Sequence, residues 1–304
     1  MADRRSKHTD SGGAVSGSIM QSGGATSGEK IRRVVDGASV MLYDPRWVGN
    51  FLELPSAAEE SSRARLLASW FDPDDWRDRG ALRSVAQGRG NTWFVESPIP
   101  RGEAAQAASS KIWVLRHYRR GGLMAKLWGD RYLFSRDEQT RPWREFELLQ
   151  TMRSLALPVP TVVAARVERT GRWYRGDLLT EAIEASHTLA SEIEQGVVPE
   201  TRWRELGQLV ARFHAVGIHH ADLNAHNVLI NPEGLWLIDF DRGRQRTPGL
   251  WCDAVLARLR RSLLKVSDSL HRSDRGSQAM LGSSRPFNDE QWSAVLHGYR
   301  DELR

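Results

Sequence analysis

The stretch His219-His220-Ala221-Asp222-Leu223-Asn224-Ala225-His226-Asn227, followed by Leu237-Ile238-Asp239-Phe240-Asp241, constrains this chain more than any other. Between the two lie an apolar run, Val228-Leu229-Ile230, a turn signal, Asn231-Pro232-Glu233-Gly234, and a second apolar run, Trp236-Leu237-Ile238. Two such runs broken by such a turn predict a hairpin. Asp222 then precedes the first strand and Asp239 ends the second, so the two carboxylates converge on one cleft.

Two carboxylates and an amide in this order meet the needs of phosphoryl transfer, which asks a protein mostly for positioning and charge neutralisation. Asp222 is the candidate that orients an attacking hydroxyl and accepts its proton. Asp239 is the candidate ligand for Mg²⁺, a hard ion that prefers oxygen. Asn227 offers an amide oxygen to the same metal without adding charge. The order resembles the protein-kinase pattern H-R-D-L-x-x-x-N followed by D-F-G, with His220 in the place of the histidine that braces that loop. A lone Asp-x-x-x-x-Asn is commonly a surface turn; the hairpin context sets this one apart. A zinc site built from His219, His220 and His226 is disfavoured, because the chain has one cysteine and no His-x-x-x-His pair on a predicted helix.

Upstream, Gly88-Arg89-Gly90-Asn91-Thr92 reads as a glycine turn opening a strand, whose backbone N–H groups can cover phosphates. The next strand is Lys111 to Tyr118. The kinase pattern V-A-I-K lays its lysine on Arg116, an always-charged planar fork rather than a compact ammonium; Lys126 is the less regular alternative. Arg141-Pro142-Trp143-Arg144-Glu145 begins a helix, with proline suited to the first turn. Glu145 is the expected carboxylate partner of the strand cation, with Glu147 as the alternative. Strands follow at Thr161 to Val167 and Trp173 to Glu181. Glu181-Ala182-Ile183 falls where two lobes join, and backbone groups there recognise adenine. Apolar residues at helical spacing over Glu205 to His214, a basic amphipathic stretch from Asp253 to Leu264, and a final helix near Asp289 to Leu303 make the rest mainly helical. The expected fold class is α+β, a protein-kinase-like two-lobed fold with a small antiparallel-sheet N-lobe over 36–180 and a mainly helical catalytic C-lobe over 181–304. A disordered tail is expected over 1–35, and an extra helical, tryptophan-bearing segment over 57–83 that covers the small lobe.

Several motifs are more specific. Leu115-Arg116-His117-Tyr118-Arg119-Arg120-Gly121-Gly122-Leu123, Ala125-Lys126-Leu127, Asp130-Arg131-Tyr132-Leu133, Thr140-Arg141-Pro142, Glu145-Phe146, His220 to Asn227 and Ile238-Asp239-Phe240-Asp241-Arg242-Gly243 together resemble the 3-deoxy-D-manno-octulosonic acid (Kdo) kinases, members of the lipopolysaccharide core kinase family. The resemblance implies transfer of the ATP γ-phosphate to the 4-hydroxyl of a Kdo sugar on a lipid A precursor (Kdo-lipid IVA), with Asp222 as base. It also implies a peripheral place on the cytoplasmic face of an inner membrane. Asp241 stands where a protein kinase has glycine, no Ala-Pro-Glu follows Asp239, and Gly243 to Gly249 is too short for a long activation loop, so no peptide platform is expected. The rival readings are a kinase for another core sugar such as heptose, a small protein kinase, and a non-catalytic kinase-fold binding module, which the retention of Asp222, Asn227 and Asp239 opposes.

Composition adds bounds. The 304 residues suffice for one two-lobed domain. The first thirty or so residues are Gly/Ser-rich and lack the apolar run of a signal peptide. Cys252 alone makes no intrachain disulfide, and no segment has the length of a membrane helix. The net charge of +5, with clusters at Arg116, Arg119, Arg120, Lys126, Arg131 and at Arg258, Arg260, Arg261, Arg272, suits ATP, an anionic glycolipid acceptor or a headgroup surface. Nucleic acid has charge in its favour but no motif. Oligomeric state is not legible.

Overall fold

The structure, a computed structural model, describes residues 31–45, 60–85, 92–98, 110–119, 129–196, 198–273 and 287–304. The expected phosphate-covering residues Gly88, Arg89, Gly90 and Asn91, the alternative cation Lys126, and residues 1–30 of the expected tail lie outside them.

The N-terminal part is an antiparallel sheet in the order β1-β2-β7-β8-β5-β4-β3. Its strands are β1 (Arg32–Asp36), β2 (Ser39–Tyr43), β3 (Leu82–Val85), β4 (Thr92–Glu96), β5 (Ile112–His117), β7 (Val162–Thr170) and β8 (Trp173–Glu181), with β6 (Tyr132–Leu133) added against the start of β8. The hairpin of β1 and β2 extends the sheet beyond β7, Ser39 to Tyr43 pairing with Glu168 to Ala164. The expected tail boundary at residue 35 is therefore corrected: it falls inside β1.

The period-2 alternation of strands divides the sheet's residues between two cores. Met41 and Tyr43, Val95, Trp113 and Leu115, and Leu179 face α1 (Glu60–Ser69) and α2 (Pro73–Asp78), where Leu67, Trp70, Phe71 and Trp76 are buried. The Trp76 indole donates to the Trp70 carbonyl at 2.8 Å and Trp113 meets both rings edge-on. Aromatic burial of this kind dominates core energetics, and Trp70, Trp76, Trp113, Trp143 and Trp203 are all core residues. Within the segment 57–83 the helices stop at Asp78, and Leu82 and Arg83 already belong to β3.

On the other face, Leu42, Val162, Ala165, Val167 and Leu178 pack on α3 (Arg141–Ser154) through Trp143, Phe146, Leu149 and Met152. That core continues without a break into the helical part. Its elements are β9 (His187–Thr188), α4 (Leu189–Glu194), α5 (Glu200–Ala215), β10 (Ile218–His219), β11 (Val228–Asn231), β12 (Gly234–Leu237), β13 (Arg244–Gln245), α6 (Trp251–Ser273) and α7 (Asp289–Glu302). On α5, Trp203, Leu206, Val210 and Phe213 recur at helical spacing and are buried. α5 and α7 meet backbone to backbone: a Cβ on Gly207 would run into the Val295 carbonyl, and one on Gly298 into the Arg204 carbonyl. The hairpin expected from sequence is present as β11–β12, with Val228 opposite Leu237 and Asn231 opposite Gly234. The whole is a protein-kinase-like two-lobed α+β fold, with an antiparallel sheet lobe joined through the end of β8 to a helical lobe.

Candidate active site

The two lobes enclose a cavity of about 480 Å³ whose lining includes Thr92, Phe94 and Val114 from the sheet, Glu181 to Ile183 from the crossover, and Leu229, Ile238, Asn227 and Asp239 from the helical lobe. Much of the lining is apolar, with Phe94, Val114, Leu149, Leu178, Leu229 and Ile238. The polar end carries Arg116, Glu145, Asn227 and Asp239. The crossover is pinned from both sides: the Glu181 N–H donates to the Thr161 carbonyl and the Ala182 N–H to the Ile112 carbonyl, each at 2.8 Å. Lys111 pairs with the Glu181 carboxylate at 2.8 Å.

At the polar end, Arg116 projects from β5 into a knot of acceptors. One guanidinium nitrogen bonds Glu145 on α3 at 2.5 Å, and the other bonds Asp239. Glu145 is buried and fully engaged. It also accepts from the Tyr118 hydroxyl at 2.5 Å and from the Phe240 N–H at 3.1 Å. Burial pulls the Arg116 pKa down, but Glu145, then Tyr118 and Asp239 outweigh it, so the group lies well above its ordinary value. Burial raises Asp239, and Arg116 more than reverses this, so its carboxyl lies below the ordinary range. Glu145 moves the other way, raised by burial against the pull of Arg116. Between the two expected glutamates the structure selects Glu145, because Glu147 turns to the Trp143 indole at 2.9 Å.

Asp239 lies two residues past β12, not at its end, and has a left-handed backbone with φ 62°. Aspartate tolerates that region better than most side chains, and the turn swings its carboxylate toward Arg116 while Phe240 stacks on Phe213 in the core. Asp241 pairs with Arg141 at 3.2 Å. Gly243 closes the turn; a Cβ there would lie 2.8 Å from both Leu148 Cδ2 and the Phe240 carbonyl oxygen.

The loop before β11 is cross-braced to the segment before Asp239. His220 is buried, its Nδ1 accepts from the Asp222 N–H at 3.2 Å, and its Nε2 lies 3.0 Å from the Ile238 carbonyl. That pair of contacts requires the neutral Nε2–H tautomer, in keeping with a pKa lowered by burial. Neither nitrogen is left for a metal. Asn227 donates from its amide nitrogen to the Asp222 carbonyl at 3.0 Å, which turns its amide oxygen toward other partners. The Asp222 side chain itself is half exposed at the cleft, with one carboxylate oxygen 2.8 Å from Arg258 on α6.

Among the described residues no three His, Cys, Asp or Glu side chains come together as a metal site. Asp239 and Asn227 instead offer one carboxylate and one amide oxygen at the polar end of the cavity. That donor set fits Mg²⁺, which keeps water and phosphate oxygens as its remaining ligands.

Residues 74–299 match the lipopolysaccharide kinase (Kdo/WaaP) family. The chain belongs to this family. A relative from Actinobacillus succinogenes (strain 130Z), named 3-deoxy-D-manno-octulosonic acid kinase, is 37% identical over 237 residues, covering 76% of this chain and 90% of the relative. A protein of the same name from Xylella fastidiosa (strain M12) is 46% identical over 198 residues, covering 64% of this chain and 74% of the relative. A solved structure, WaaP in complex with acyl carrier protein, is 15% identical, covers 76% of this chain and 83% of that one, and has a TM-score of 0.43. Membership in a kinase family brings with it the use of ATP.

For this family member the structure brings Arg116, Glu145, Asn227, Asp239, Thr92, Glu181 and Ile183 to one cavity, with Asp222 at its edge. Three further participants escaped the sequence reading. Tyr118 clamps Glu145, Asp241 binds Arg141, and Arg258 binds Asp222. Arg258 was visible only as part of a basic run; nothing in that run points to a residue 36 positions earlier.

Proposed function

We propose that this chain transfers the γ-phosphate of ATP to the 4-hydroxyl of a Kdo sugar on a lipid A precursor. The observation that carries the reading is the convergence of Arg116, Glu145 and Asp239 at the polar end of an otherwise apolar cavity, with Asn227 and Asp222 on the adjoining loop. In this reading Glu181 to Ile183 hold the adenine edge and Arg116, fixed by Glu145, holds the phosphates. Gly88 to Thr92 cover them, with Lys126 the alternative to Arg116 as the phosphate-binding cation. Asp239 and Asn227 hold Mg²⁺, which neutralises the phosphate charge. Asp222 orients the acceptor hydroxyl and takes its proton. Its backbone is fixed by His220, Asn224 and Asn227, so the carboxylate is pre-positioned for an in-line attack. The family match and the names of the relatives support Kdo as the sugar.

In this reading the N-lobe runs from β1 to residue 180 and the catalytic lobe over 181–304. A peripheral place on the cytoplasmic face of the inner membrane follows from the acceptor's lipid. Among the described residues no helix is long and apolar enough to cross a membrane.

The test offers labelled ATP and Mg²⁺ with three acceptors in parallel: Kdo-bearing lipid A precursor, a heptose-bearing core, and a generic protein. Label on the Kdo acceptor, located on its 4-hydroxyl by phosphorus–proton NMR, supports the reading. Label only on heptose or protein overturns the choice of acceptor.

A further inference from the structure

Asp222 does not stand alone at the mouth of the cleft. Arg258 reaches its carboxylate from α6, and α6 is itself docked on the catalytic loop one turn further on, where Ser262 Oγ accepts the Ala225 N–H at 3.1 Å. Val255, Leu256, Leu259 and Leu263 are buried on the adjoining face of the same helix. Arg258 thus sits on a rigid element beside the proposed base. Its side chain remains 49% exposed, so the rest of its donor fork faces solvent.

More positive charge lies behind it. His219 feels Arg244, Arg246 and Arg258 together, and β13 brings Arg244 opposite His219. Arg244 and Arg246 are exposed, and Arg246 is steadied over the Trp251 ring at 5.7 Å. No contact with Glu145 or Asp239 uses these three arginines among the described residues, and none lines the nucleotide cavity. With His219 among them, they form a cationic cluster beside the loop that carries Asp222.

We propose that Arg258, backed by Arg244 and Arg246, is the acceptor-binding residue that grips the sugar's own carboxylate and thereby selects which hydroxyl meets Asp222. The proposal rests on the reading of the acceptor as an acidic sugar. A planar guanidinium matches a carboxylate through two parallel hydrogen bonds, which fixes orientation as well as position. Arg258 is held ready by one Asp222 oxygen, and the second oxygen of that carboxylate stays available to the attacking hydroxyl. A neutral sugar of the same shape lacks the anchor and presents its hydroxyls without preference.

The experiment uses the full chain with three acceptors in detergent micelles: Kdo-bearing lipid A precursor, its sugar-carboxyl methyl ester, and the same glycolipid stripped of its lipid phosphates. Wild type should lose roughly tenfold or more in acceptor KM on the ester, the range one charge-assisted hydrogen bond supplies. Arg258→Gln should show that loss already on the native acceptor and no further loss on the ester, with the affinity for ATP unchanged. Arg258→Lys, which keeps the charge but not the fork, should retain a reduced preference for acid over ester. Equilibrium binding of each acceptor should follow the same pattern, so that impaired turnover alone does not count as support. The proposal is overturned if Arg258→Gln discriminates acid from ester as wild type does, if the loss appears in the affinity for ATP, or if it tracks the phosphate-free lipid instead of the ester. Absence of label on every Kdo acceptor with wild type would overturn the underlying reading first, and is told apart because no variant is needed to see it.

Discussion

Arg116 on β5 and Glu145 on α3 form an ion pair at 2.5 Å that ties the sheet to the helix beneath it. The same guanidinium bonds Asp239, so one side chain spans sheet, helix and the segment after β12. The lysine of the protein-kinase pattern, with its single point charge, would have to choose among these partners. Arginine's fork serves two at once.

Replacing Arg116 with alanine leaves Glu145 buried with only Tyr118 and the Phe240 N–H. Removing one partner of a buried pair costs about 3 kcal/mol or more. Chemical denaturation should show a loss of that order, and the KM for ATP should rise. Arg116→Lys should recover part of the stability and less of the affinity, since the charge returns without the fork. Equal ATP affinity in all three proteins would separate Arg116 from the phosphates.

Gly207 lies far from the cleft chemistry, yet its substitution should be severe. An alanine Cβ there meets the backbone of α7, which has no flexible end to move aside. Overpacking typically costs about 1–3 kcal/mol. Gly207→Ala should lower the melting temperature while leaving the KM for ATP of the remaining folded protein intact. A rise in stability would mean that the helices are not in this contact.

His117 sits between two carboxylates, Nδ1 at 2.7 Å from Asp177 and Nε2 at 3.1 Å from Asp130. Burial lowers its pKa, but the two acids outweigh burial and leave it raised. The folded protein therefore holds this proton after the unfolded chain has lost it. The contribution to stability is complete below the unfolded value of about 6.5 and fades as pH rises through the folded value. Melting curves taken upward from pH 6.5 should fall more steeply for wild type than for His117→Gln; parallel profiles would contradict the pairing.

His214 behaves oppositely. It is buried, 2.9 Å from the Tyr299 hydroxyl, and burial lowers its pKa to about 4. Between that value and about 6.5 the unfolded chain binds the proton and the folded protein does not, so stability falls on acidification through this window. His214→Asn should be less stable at neutral pH, through the lost packing, and show a shallower decline from pH 6.5 to pH 4. An unchanged slope would place the acid sensitivity elsewhere.

What the sequence revealed follows from distance along the chain. Asp222, Asn227 and Asp239 were legible because a hairpin carries all three within one local unit. Glu145 was narrowed to two candidates, since a helix places both near the sheet; only the Trp143 contact of Glu147 separates them. Arg116 was read from its strand position, but its link to Asp239 spans 123 residues and leaves no local trace. The hairpin of β1 and β2 was missed for the same reason. Its apolar alternation is short, and its register is set by β7, far along the chain. The Arg258–Asp222 contact depends on the path of α6, which helical periodicity alone does not give.

The most direct test of the phosphoryl-transfer site is single-turnover transfer from labelled ATP to the Kdo acceptor by wild type and Asp222→Ala, with ATP affinity measured alongside. General-base assistance is worth about 10²–10⁴ in rate. The account predicts a loss of that size in Asp222→Ala with ATP binding preserved. Near-wild-type transfer by Asp222→Ala would contradict it.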